Sequence, residues 1–184
     1  YRFLHLICNL CLEKAGMEII PDIEITDDGS HTFTHPVYGE TYHSTRGAVG
    51  ESMHVFINNG LREVRKPHIR ILEVGFGSGL NAWLTLNHAR HNGVTIEYHA
   101  IELYPVSMRA ISRMNYSDER SLMALHEAPW DASTEILPGF VLSKFEADLC
   151  EAELFAIFDL VYFDAFAPDR QPEFWTACIF SHIH

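Results

Sequence analysis

The chain has 184 residues, of which 47% are hydrophobic and 21% are charged, and its formal net charge is -12 at pH 7. This composition predicts one soluble globular domain with enough chain for a sizeable core. The acidic balance argues against a protein that holds nucleic acid through a broad basic surface. Two groups of cations leave open either a local basic face or solvated helix faces and strand ends: Arg62, Arg65, Lys66 and Arg70, then Arg109, Arg113 and Arg120.

Residues 1–22 are interpreted as an N-terminal extension. The apolar run from Phe3 to Leu12 predicts an amphipathic helix, because it contains polar residues that a secretory signal lacks and is too short to span a membrane. Cys8 and Cys11 form a C-x-x-C pattern without a second ligand pair or a strand-to-helix context, so no zinc or redox site is expected. Together with Cys150 and Cys178 they make four irregularly spaced cysteines, which is typical of a reducing, cytoplasmic setting.

From residue 23 onward the pattern predicts a small β-hairpin followed by alternating strands and helices. Ile23 to Thr26 and His31 to Thr34 flank a turn-rich segment and form the predicted hairpin. Helical spacing of apolar residues predicts a helix from Gly47 to Leu61. The later predicted elements are a strand His68 to Val74, a helix Leu80 to His91, a strand Val94 to Glu102, a helix Pro105 to Asn115, a helix Asp118 to His126, a loop through Pro129 and Trp130, a strand Phe140 to Ala147, a short polar helix near Glu151, a strand Phe158 to Phe163 and a last helix near Pro172. This order predicts an α/β fold with a mostly parallel sheet, helices on both faces and a ligand site at the carboxyl ends of the strands.

A glycine-rich loop follows the first strand of this sheet. The strand ends in Glu73 and runs into Gly75, Gly77 and Gly79, which gives the pattern E-x-G-x-G-x-G between a strand and a helix. Glycine lets the backbone approach a ligand closely and adopt positive φ. A dinucleotide-binding turn would place its third glycine at position 80, where this chain has Leu80. The spacing therefore favours S-adenosylmethionine over NAD.

Two further carboxylates follow later strands. Glu102 ends the second strand 23 residues after Gly79, where a doubly wound fold places the carboxylate that binds ribose hydroxyls; the alternative is a solvated acid at a strand end. Asp148 follows the third strand and is predicted either to reach the adenine amine or to cap the next helix.

The second chemical centre is the apolar strand that leads to Asp164, Phe166 and Pro168. Methyl transfer to nitrogen needs a free lone pair, so a carboxylate that orients or deprotonates an amine suits this position. Phe166 is able to stack on a base. The alternative is a structural aspartate that caps the following turn.

These segments together resemble the methyltransferase domain of the bacterial wobble-uridine tRNA enzyme of the MnmC type. The resemblance covers about residues 23 to 181 and rests on these blocks in order: Asp28-Gly29-Ser30-His31-Thr32, Tyr42-His43-Ser44, Gly47-Ala48, Glu51-Ser52 leading to His54-Val55-Phe56, Glu73 through Asn81, Asp164 through Pro168, and Pro172 to Trp175.

The resemblance implies S-adenosylmethionine-dependent methylation of the amine of 5-aminomethyl-2-thiouridine in tRNA, in the cytoplasm, with an FAD-dependent oxidase fused or separate in relatives. It implies no metal and no membrane. By motif, the cofactor residues are Glu73, Gly75, Gly77 and Glu102, with Gly79 in the same loop and Tyr42, Ser44 and Glu51 nearby. Asp164 would face the amine, and Phe166 and Pro168 would shape the uridine pocket.

Methyltransferases of this class have seven-stranded sheets, and four strands are predicted here. Residues 23–184 are therefore interpreted as a methyltransferase domain without its C-terminal strands, whose Asp164 strand forms an apolar edge. Two alternatives fit the same fold: a methyltransferase acting on a small-molecule or protein amine, and a non-catalytic nucleoside-binding partner subunit.

Overall fold

A five-stranded sheet forms the centre of the molecule, and a two-stranded hairpin precedes it along the chain. The computed structural model describes residues 20–35, 39–116, 119–152, 154 and 156–183. The predicted helix at residues 3–12, with Cys8 and Cys11, lies outside these ranges.

The strands are β1 (Asp22–Ile25), β2 (His31–Thr34), β3 (His68–Val74), β4 (Thr95–Glu102), β5 (Ala132–Leu137), β6 (Phe140–Glu146) and β7 (Leu160–Phe163). The α-helices are α1 (Ala48–Ser52), α2 (Leu80–Asn92), α3 (Met108–Ile111), α4 (Glu119–Glu127) and α5 (Ala177–His182). A π-helix (Met53–Asn58) continues α1, and 3₁₀ turns occupy Leu61–Glu63 and Pro172–Phe174.

The sheet order is β5-β6-β4-β3-β7, with β6, β4, β3 and β7 parallel and β5 antiparallel to β6. The predicted α/β fold with a mostly parallel sheet is confirmed. Strand β3 is buried from Ile71 to Val74 because strands flank it on both sides and helices cover its faces. One core lies between the sheet and α2, and a second core gathers around Leu72, Val74 and Ile179 on the other face.

Helix α2 begins and ends at glycines in the left-handed conformation. Gly79 precedes its first turn with φ of 73°, and Gly93 follows its last turn with φ of 65° and donates its N–H to Ala89 O. Helix α2 packs against the sheet on one side and against α1, the π-helix and α4 on the others. Its first two turns are therefore buried nearly all round rather than along one stripe.

The hairpin is fastened to α1 through Asp28. The Asp28 carboxylate accepts hydrogen bonds from Ser30 N and Gly50 N, both at 3.0 Å, and from the hydroxyl of Thr26 at 2.7 Å. Burial acts to raise the pKa of Asp28, but the Ser30 hydroxyl, which also donates to Oδ1, and the donors named above hold it below its usual value. The turn thus connects the hairpin with the helix that carries Glu51.

Several predicted elements differ from the structure. The expected helix from Gly47 widens into the π-helix, and the expected helix at Pro105 to Asn115 is reduced to α3, whose N-cap is Ser107. Strand β5 was not predicted, because half of its residues are exposed and it lacks an apolar run. Its sequence signal was Gly139, whose φ of 83° closes a hairpin with β6.

The C-terminal third is less regular than predicted. A turn at residues 148–152 occupies the start of the expected polar helix, and residues 153 and 155 lie outside the description. Strand β7 begins at Leu160 rather than Phe158, and the last helix is divided into a 3₁₀ turn and α5. In the part of the chain that the structure describes, β7 is an edge strand of the sheet.

Candidate active site

Strands β3, β4 and β7 end side by side, and the loops that follow them form the candidate site. The backbone ladder continues one residue past the strands, since Gly75 N donates to Ile101 O at 2.9 Å and Asp164 N donates to Val74 O at 3.1 Å. A Cβ on Gly75 would lie 3.1 Å from Asp164 O. The parallel sheet therefore brings the glycine-rich loop against the loop of Asp164.

The glycine positions of the glycine-rich loop have no room for a side chain. Gly77 has φ of 50°, and a Cβ there would lie 3.1 Å from Cδ2 of Tyr42. Gly79 has φ of 73°, and a Cβ there would lie 2.7 Å from Nε2 of His126. Positive φ and close neighbours both require glycine, which leaves backbone groups next to the space that a ligand would occupy.

Glu102 closes one side of this loop. Its Oε2 accepts a hydrogen bond from Gly77 N at 3.0 Å, and its Oε1 accepts one from Tyr104 N at 2.9 Å. Burial raises the pKa of Glu102, and these backbone donors oppose the rise. Burial and the charge of Glu102 together raise the pKa of Tyr42. Glu102 and Tyr42 thus both lie against the backbone of Gly77, and their role as cofactor residues stays a prediction.

Asp164 lies on the other side of the loop, with 26% of its side chain exposed. Its Oδ2 accepts a hydrogen bond from Asn81 Nδ2 at 2.8 Å, and Nε2 of His43 lies 3.9 Å from the same oxygen. Burial raises the pKa of Asp164 to about 7; the Asn81 hydrogen bond lowers it and the charge of Glu51 adds to the rise. A carboxyl group that titrates near neutrality is suited to exchanging a proton with a ligand.

Three aromatic rings, one of them on the loop that follows Asp164, pack against one another. The ring centroid of Phe166 lies 5.3 Å from that of His35 and 5.7 Å from that of Tyr42, both edge-to-face, and His35 stacks on Tyr42 at 5.9 Å. The Phe166 backbone is fixed, because its N–H donates to Gln171 Oε1 at 3.1 Å and its carbonyl accepts from Trp175 Nε1 at 2.8 Å. The structure thus brings together Phe166 and Tyr42, which the sequence assigned to different ligands.

The loop after Asp164 is tied to the N-terminal segment by an ion pair. Pro168 opens an exposed turn that carries Arg170, whose Nε donates to Glu40 Oε1 at 2.6 Å. Ser44 and Glu51 contact each other, because Ser44 N donates to Glu51 Oε2 at 2.7 Å. The segment from Glu40 to Glu51, which follows the hairpin, therefore forms one wall of the site.

Asp148 follows β6 and caps a turn. Its Oδ1 accepts a hydrogen bond from Cys150 N at 2.9 Å, and its carbonyl accepts from Glu151 N at 2.9 Å. Asp148 thus caps a turn, whereas the sequence predicted that it would cap a helix. Ala147 N donates to Glu102 O at 3.1 Å, so Asp148 follows at the same edge of the sheet, and its adenine contact stays a prediction.

Glu73 lies beneath the site instead of on its surface. Its side chain is fully buried, and its polar neighbours are Tyr98 on β4 and Asn81 on α2. Burial raises the pKa of Glu73 well above its ordinary value, and the charges of Asp164 and Glu102 add to the rise. Glu73 therefore reaches a ligand through its neighbours rather than by a surface of its own.

A buried lysine supports the glycine-rich loop from behind. Lys144 Nζ donates to His126 O at 2.8 Å and lies 5.3 Å from the ring centroid of Phe76 and 4.6 Å from that of Trp130. His126 Nε2 in turn lies 3.0 Å from Ser78 O. Hydrogen bonds and cation–π contacts thus join α4 and β6 to the loop.

The sequence analysis did not assign Asn81, His43, His35, His126 or Lys144 to the site. Asn81 had a usable signal, because the first turn of a helix after a glycine-rich loop necessarily faces that loop. The three histidines and Lys144 come from separate segments of the chain, and no local sequence pattern indicates that they lie near the site.

The residues of this site fit S-adenosylmethionine. The loop offers a cradle that a Cβ would fill at Gly77, and Glu102 stands beside it with Asp164 on the other side of the loop. The cofactor carries a sulfonium and an amino group, and carboxylates around a partly buried site favour such positive charges. Within the described ranges no group of three or more His, Cys, Asp or Glu side chains is placed to hold a metal ion. Among the same described residues, no helix has both the length and the apolar character needed to cross a membrane.

Comparisons with known proteins agree with this geometry. The model of an S-adenosyl-L-methionine-dependent methyltransferase family matches residues 132–184. The chain is 30% identical over 174 residues to the tRNA 5-methylaminomethyl-2-thiouridine biosynthesis bifunctional protein MnmC of Burkholderia multivorans, covering 84% of this chain and 26% of that protein. It is 29% identical over 185 residues to the protein of the same name from Azoarcus, covering 89% of this chain and 28% of that one.

A solved structure, MNMC2 from Aquifex aeolicus, has the same fold. The TM-score is 0.70 at 26% identity, over 99% of this chain and 68% of that one. The chain spans about a quarter of the length of the curated relatives it matches. On sequence, fold and site geometry together, the chain belongs to the MnmC-type family of S-adenosyl-L-methionine-dependent methyltransferase domains.

Proposed function

We propose that this domain methylates the side-chain amine of 5-aminomethyl-2-thiouridine at the wobble position of tRNA, giving 5-methylaminomethyl-2-thiouridine. The observation that carries the proposal is Asp164, a partly exposed carboxyl with its pKa raised to about 7, set between the glycine-rich loop and an aromatic ring. The similarity to proteins named for 5-methylaminomethyl-2-thiouridine biosynthesis supports the choice of substrate.

Cofactor binding is assigned to the glycine backbone, Glu102 and Tyr42, with Ser44 and Glu51 on the hairpin side. Bound S-adenosylmethionine supplies an electrophilic methyl group. Glu102 lies within reach of Gly77 N and is the carboxylate expected to accept the ribose hydroxyls. Asp148 is kept as the candidate for the adenine amine.

Asp164 is assigned two tasks at the acceptor amine. In solution such an ammonium has a pKa near that of lysine, about 10.4, so it lacks the lone pair that attacks a methyl group. The ionised Asp164 binds this ammonium and accepts one of its protons, which frees the lone pair. Nitrogen then forms its bond to the methyl carbon as the carbon–sulfur bond breaks, leaving a methylated ammonium and S-adenosylhomocysteine.

The proton transfer is energetically affordable. With pKa values of about 10.4 for the amine and about 7 for Asp164, it costs roughly 4–5 kcal/mol at 1.36 kcal/mol per pKa unit. A total barrier of about 17 kcal/mol corresponds to turnover of about one per second, so most of the barrier remains for methyl transfer. Had Asp164 kept its ordinary pKa, the same transfer would cost roughly 9 kcal/mol.

The aromatic rings are assigned to the uridine. Hydrogen bonds at its backbone N–H and carbonyl fix Phe166, and the rings of Tyr42 and His35 pack beside its ring. Stacking of a base on such a ring contributes about 1–3 kcal/mol. Pro168 stiffens the exposed turn that follows.

The partners follow from this assignment. The similar proteins are named bifunctional, and an FAD-dependent oxidase, fused or separate, is proposed to act upstream and supply the amine. The reaction is placed in the cytoplasm, where tRNA is modified.

The net charge of -12 favours one competing substrate class, a small-molecule amine. Salt dependence separates the two. Binding of tRNA through phosphate contacts weakens steeply as salt rises, whereas binding of a small amine changes little.

The decisive experiment combines cofactor binding with methylation. Thermal unfolding is measured with S-adenosylhomocysteine, with NAD as the control, and a ligand at 100 times its Kd adds about 2.7 kcal/mol of stability. Methyl transfer is then followed on tRNA that carries 5-aminomethyl-2-thiouridine, at several salt concentrations. Selective stabilisation with salt-sensitive methylation is the expected result. Stabilisation by NAD, or cofactor binding with no methylation of that tRNA, contradicts the proposal.

A further inference from the structure

The buried surroundings of Glu73 contain four polar atoms with unmet hydrogen-bonding capacity. They are both carboxyl oxygens of Glu73, Oδ1 of Asn81 and the hydroxyl of Tyr98, and none has a hydrogen-bond partner among the residues that the structure describes. All three side chains are at most 2% exposed. Buried polar atoms are normally paired, so four orphans at one place require an explanation.

The charges around Glu73 disfavour an ionised carboxylate there. Asp164 at the end of β7 and Glu102 at the end of β4 both act on it as negative charges. Tyr98 from β4 and Asn81 from α2 are its polar neighbours; burial and the charge of Asp164 raise the pKa of Glu73 and outweigh these two groups, which as hydrogen-bonding groups act to lower it. A fully buried ion without a cationic partner is costly, and a carboxyl in that position takes up a proton instead.

A proton on Glu73 would satisfy all four atoms. The carboxylic acid then has one O–H donor and one carbonyl acceptor. Its O–H would donate to Oδ1 of Asn81, and its carbonyl would accept from the hydroxyl of Tyr98. An ionised Glu73, which is an acceptor alone, leaves Oδ1 of Asn81 without a donor.

The pairing also fixes which way the Asn81 amide points. Nδ2 of Asn81 donates to Oδ2 of Asp164 at 2.8 Å, so in this pairing Oδ1 is the atom left to accept from Glu73. An asparagine amide is nearly symmetric in shape, so its orientation is set by its hydrogen-bond partners.

We propose that Glu73 is a neutral carboxylic acid that orients the Asn81 amide and thereby positions Asp164 and favours its ionised form. Glu73 is a positioning residue, and Asn81 is the group that contacts Asp164. The part of the proposal that concerns the amine rests on the proposed function, whereas the protonation of Glu73 does not.

The first test measures thermal stability against pH for the wild type and Glu73→Gln. A carboxyl that stays protonated in the native state and ionises in the unfolded state makes stability fall as pH rises above about 4.5. Glutamine imitates the neutral acid and lacks this effect. The melting temperature of Glu73→Gln is therefore expected to gain on the wild type between pH 5 and 8, by about 3–5 °C per pH unit.

Glu97→Gln is the matched control on the neighbouring strand. Its side chain pairs with Arg70, and the Arg70 hydrogen bond lowers the pKa of Glu97. That variant is expected to lose stability relative to the wild type above pH 5. The proposal would be overturned if the melting temperatures of Glu73→Gln and wild type changed with pH in the same way, or if Glu73→Gln lost stability relative to wild type above pH 5 as Glu97→Gln does.

The second test reads the titration of Asp164 by ¹³C NMR of its carboxyl carbon, with Asp164→Asn to assign the signal. Glu73→Met keeps the volume but removes both hydrogen bonds, and Asn81→Ala removes the donor. Both are expected to raise the titration midpoint of Asp164 by about one pH unit, since a hydrogen bond to a charged group contributes about 1.5 kcal/mol. Glu73→Gln is expected to stay near wild type because its amide can still donate to Asn81.

Affinity for S-adenosylhomocysteine separates this role from direct cofactor binding. Glu73→Gln and Glu73→Met are expected to keep Kd within about twofold. A large loss of affinity with an unchanged Asp164 titration makes Glu73 a cofactor ligand and overturns the proposal. None of these readouts needs turnover, so failure of the methylation assay leaves the result on Glu73 decisive.

Discussion

Replacement of Asp164 by asparagine tests the chemistry of the site most directly. The change keeps the shape and the contact to Asn81 but removes the charge and the ability to accept a proton. A pKa of about 7 means that Asp164 is ionised in roughly one molecule in ten at pH 6 and nine in ten at pH 8. Wild-type kcat/KM should therefore rise about tenfold across this range.

In Asp164→Asn this rise of kcat/KM between pH 6 and pH 8, the acidic limb of the pH profile, should disappear. The value of kcat/KM at pH 8 should fall by about 10²–10⁴, the usual contribution of a positioned proton acceptor. The assay is single-turnover methylation of the modified tRNA at pH 6, 7 and 8, with the Kd of S-adenosylhomocysteine measured in parallel. That Kd should change by less than about twofold.

Asp159→Asn is the matched control, because Asp159 precedes the same strand at its opposite end and pairs with Lys66. It should keep the acidic limb. An Asp164→Asn enzyme that retained most of its turnover with the limb in place would refute the role given to Asp164.

Three further predictions concern the walls of the site. Gly79→Ala should destabilise the protein more than Gly93→Ala. Both glycines have positive φ, but a Cβ at position 79 would lie 2.7 Å from Nε2 of His126, whereas nothing lies within 4 Å of one at position 93. Chemical denaturation should show a loss of about 1–2 kcal/mol in both variants from backbone strain, and about 1–3 kcal/mol more in Gly79→Ala from the close contact. Phe166→Ala should raise KM for the tRNA about tenfold or more while Phe166→Tyr retains it, and equal KM values would argue against stacking on this ring. Glu102→Gln should weaken S-adenosylhomocysteine binding about tenfold in calorimetry and leave the acidic limb of the pH profile in place; an unchanged Kd would remove Glu102 from the cofactor site.

The order of the main elements was readable from the sequence because it depends on local patterns. Strand β3 was predicted with the bounds that the structure has, since its apolar run is bounded by Pro67 and by the glycines. Helix α2 begins directly after Gly79, as the loop requires. The hairpin was predicted from a turn that needs Gly29 at φ of 80°.

Elements with weak local signals were predicted poorly. Strand β5 is stabilised by pairing with β6, and its residues carry little apolar pattern because it lies at an exposed edge. The helix expected at Pro105 to Asn115 was predicted too long at both ends, because Ser107 caps the start of α3 and the helix ends at Ile111. Propensity alone does not show where such segments stop.

The cations near β3 illustrate the limit for charges. Lys66 pairs with Asp159, and Arg70 donates to Glu97 at 2.6 Å, so these two side chains neutralise acids at the strand ends. This favours the interpretation as strand-end charges over a basic face at that position. Asp159 lies 93 residues after Lys66 and Glu97 lies 27 residues after Arg70, so no local pattern identifies these partners.

By itself the sequence determined which backbone could approach a ligand and which carboxylates would follow the strands, because glycine spacing and strand ends are local properties. The tertiary structure alone decided what each carboxylate became. Glu73, Glu102 and Asp164 each lie at or next to the end of a strand, yet Glu73 is buried in the core, Glu102 accepts hydrogen bonds from backbone N–H groups and Asp164 accepts one from the Asn81 side chain. Their burial and neighbours differ because distant segments cover them, and burial and neighbours are what set the pKa and the role of a carboxyl group.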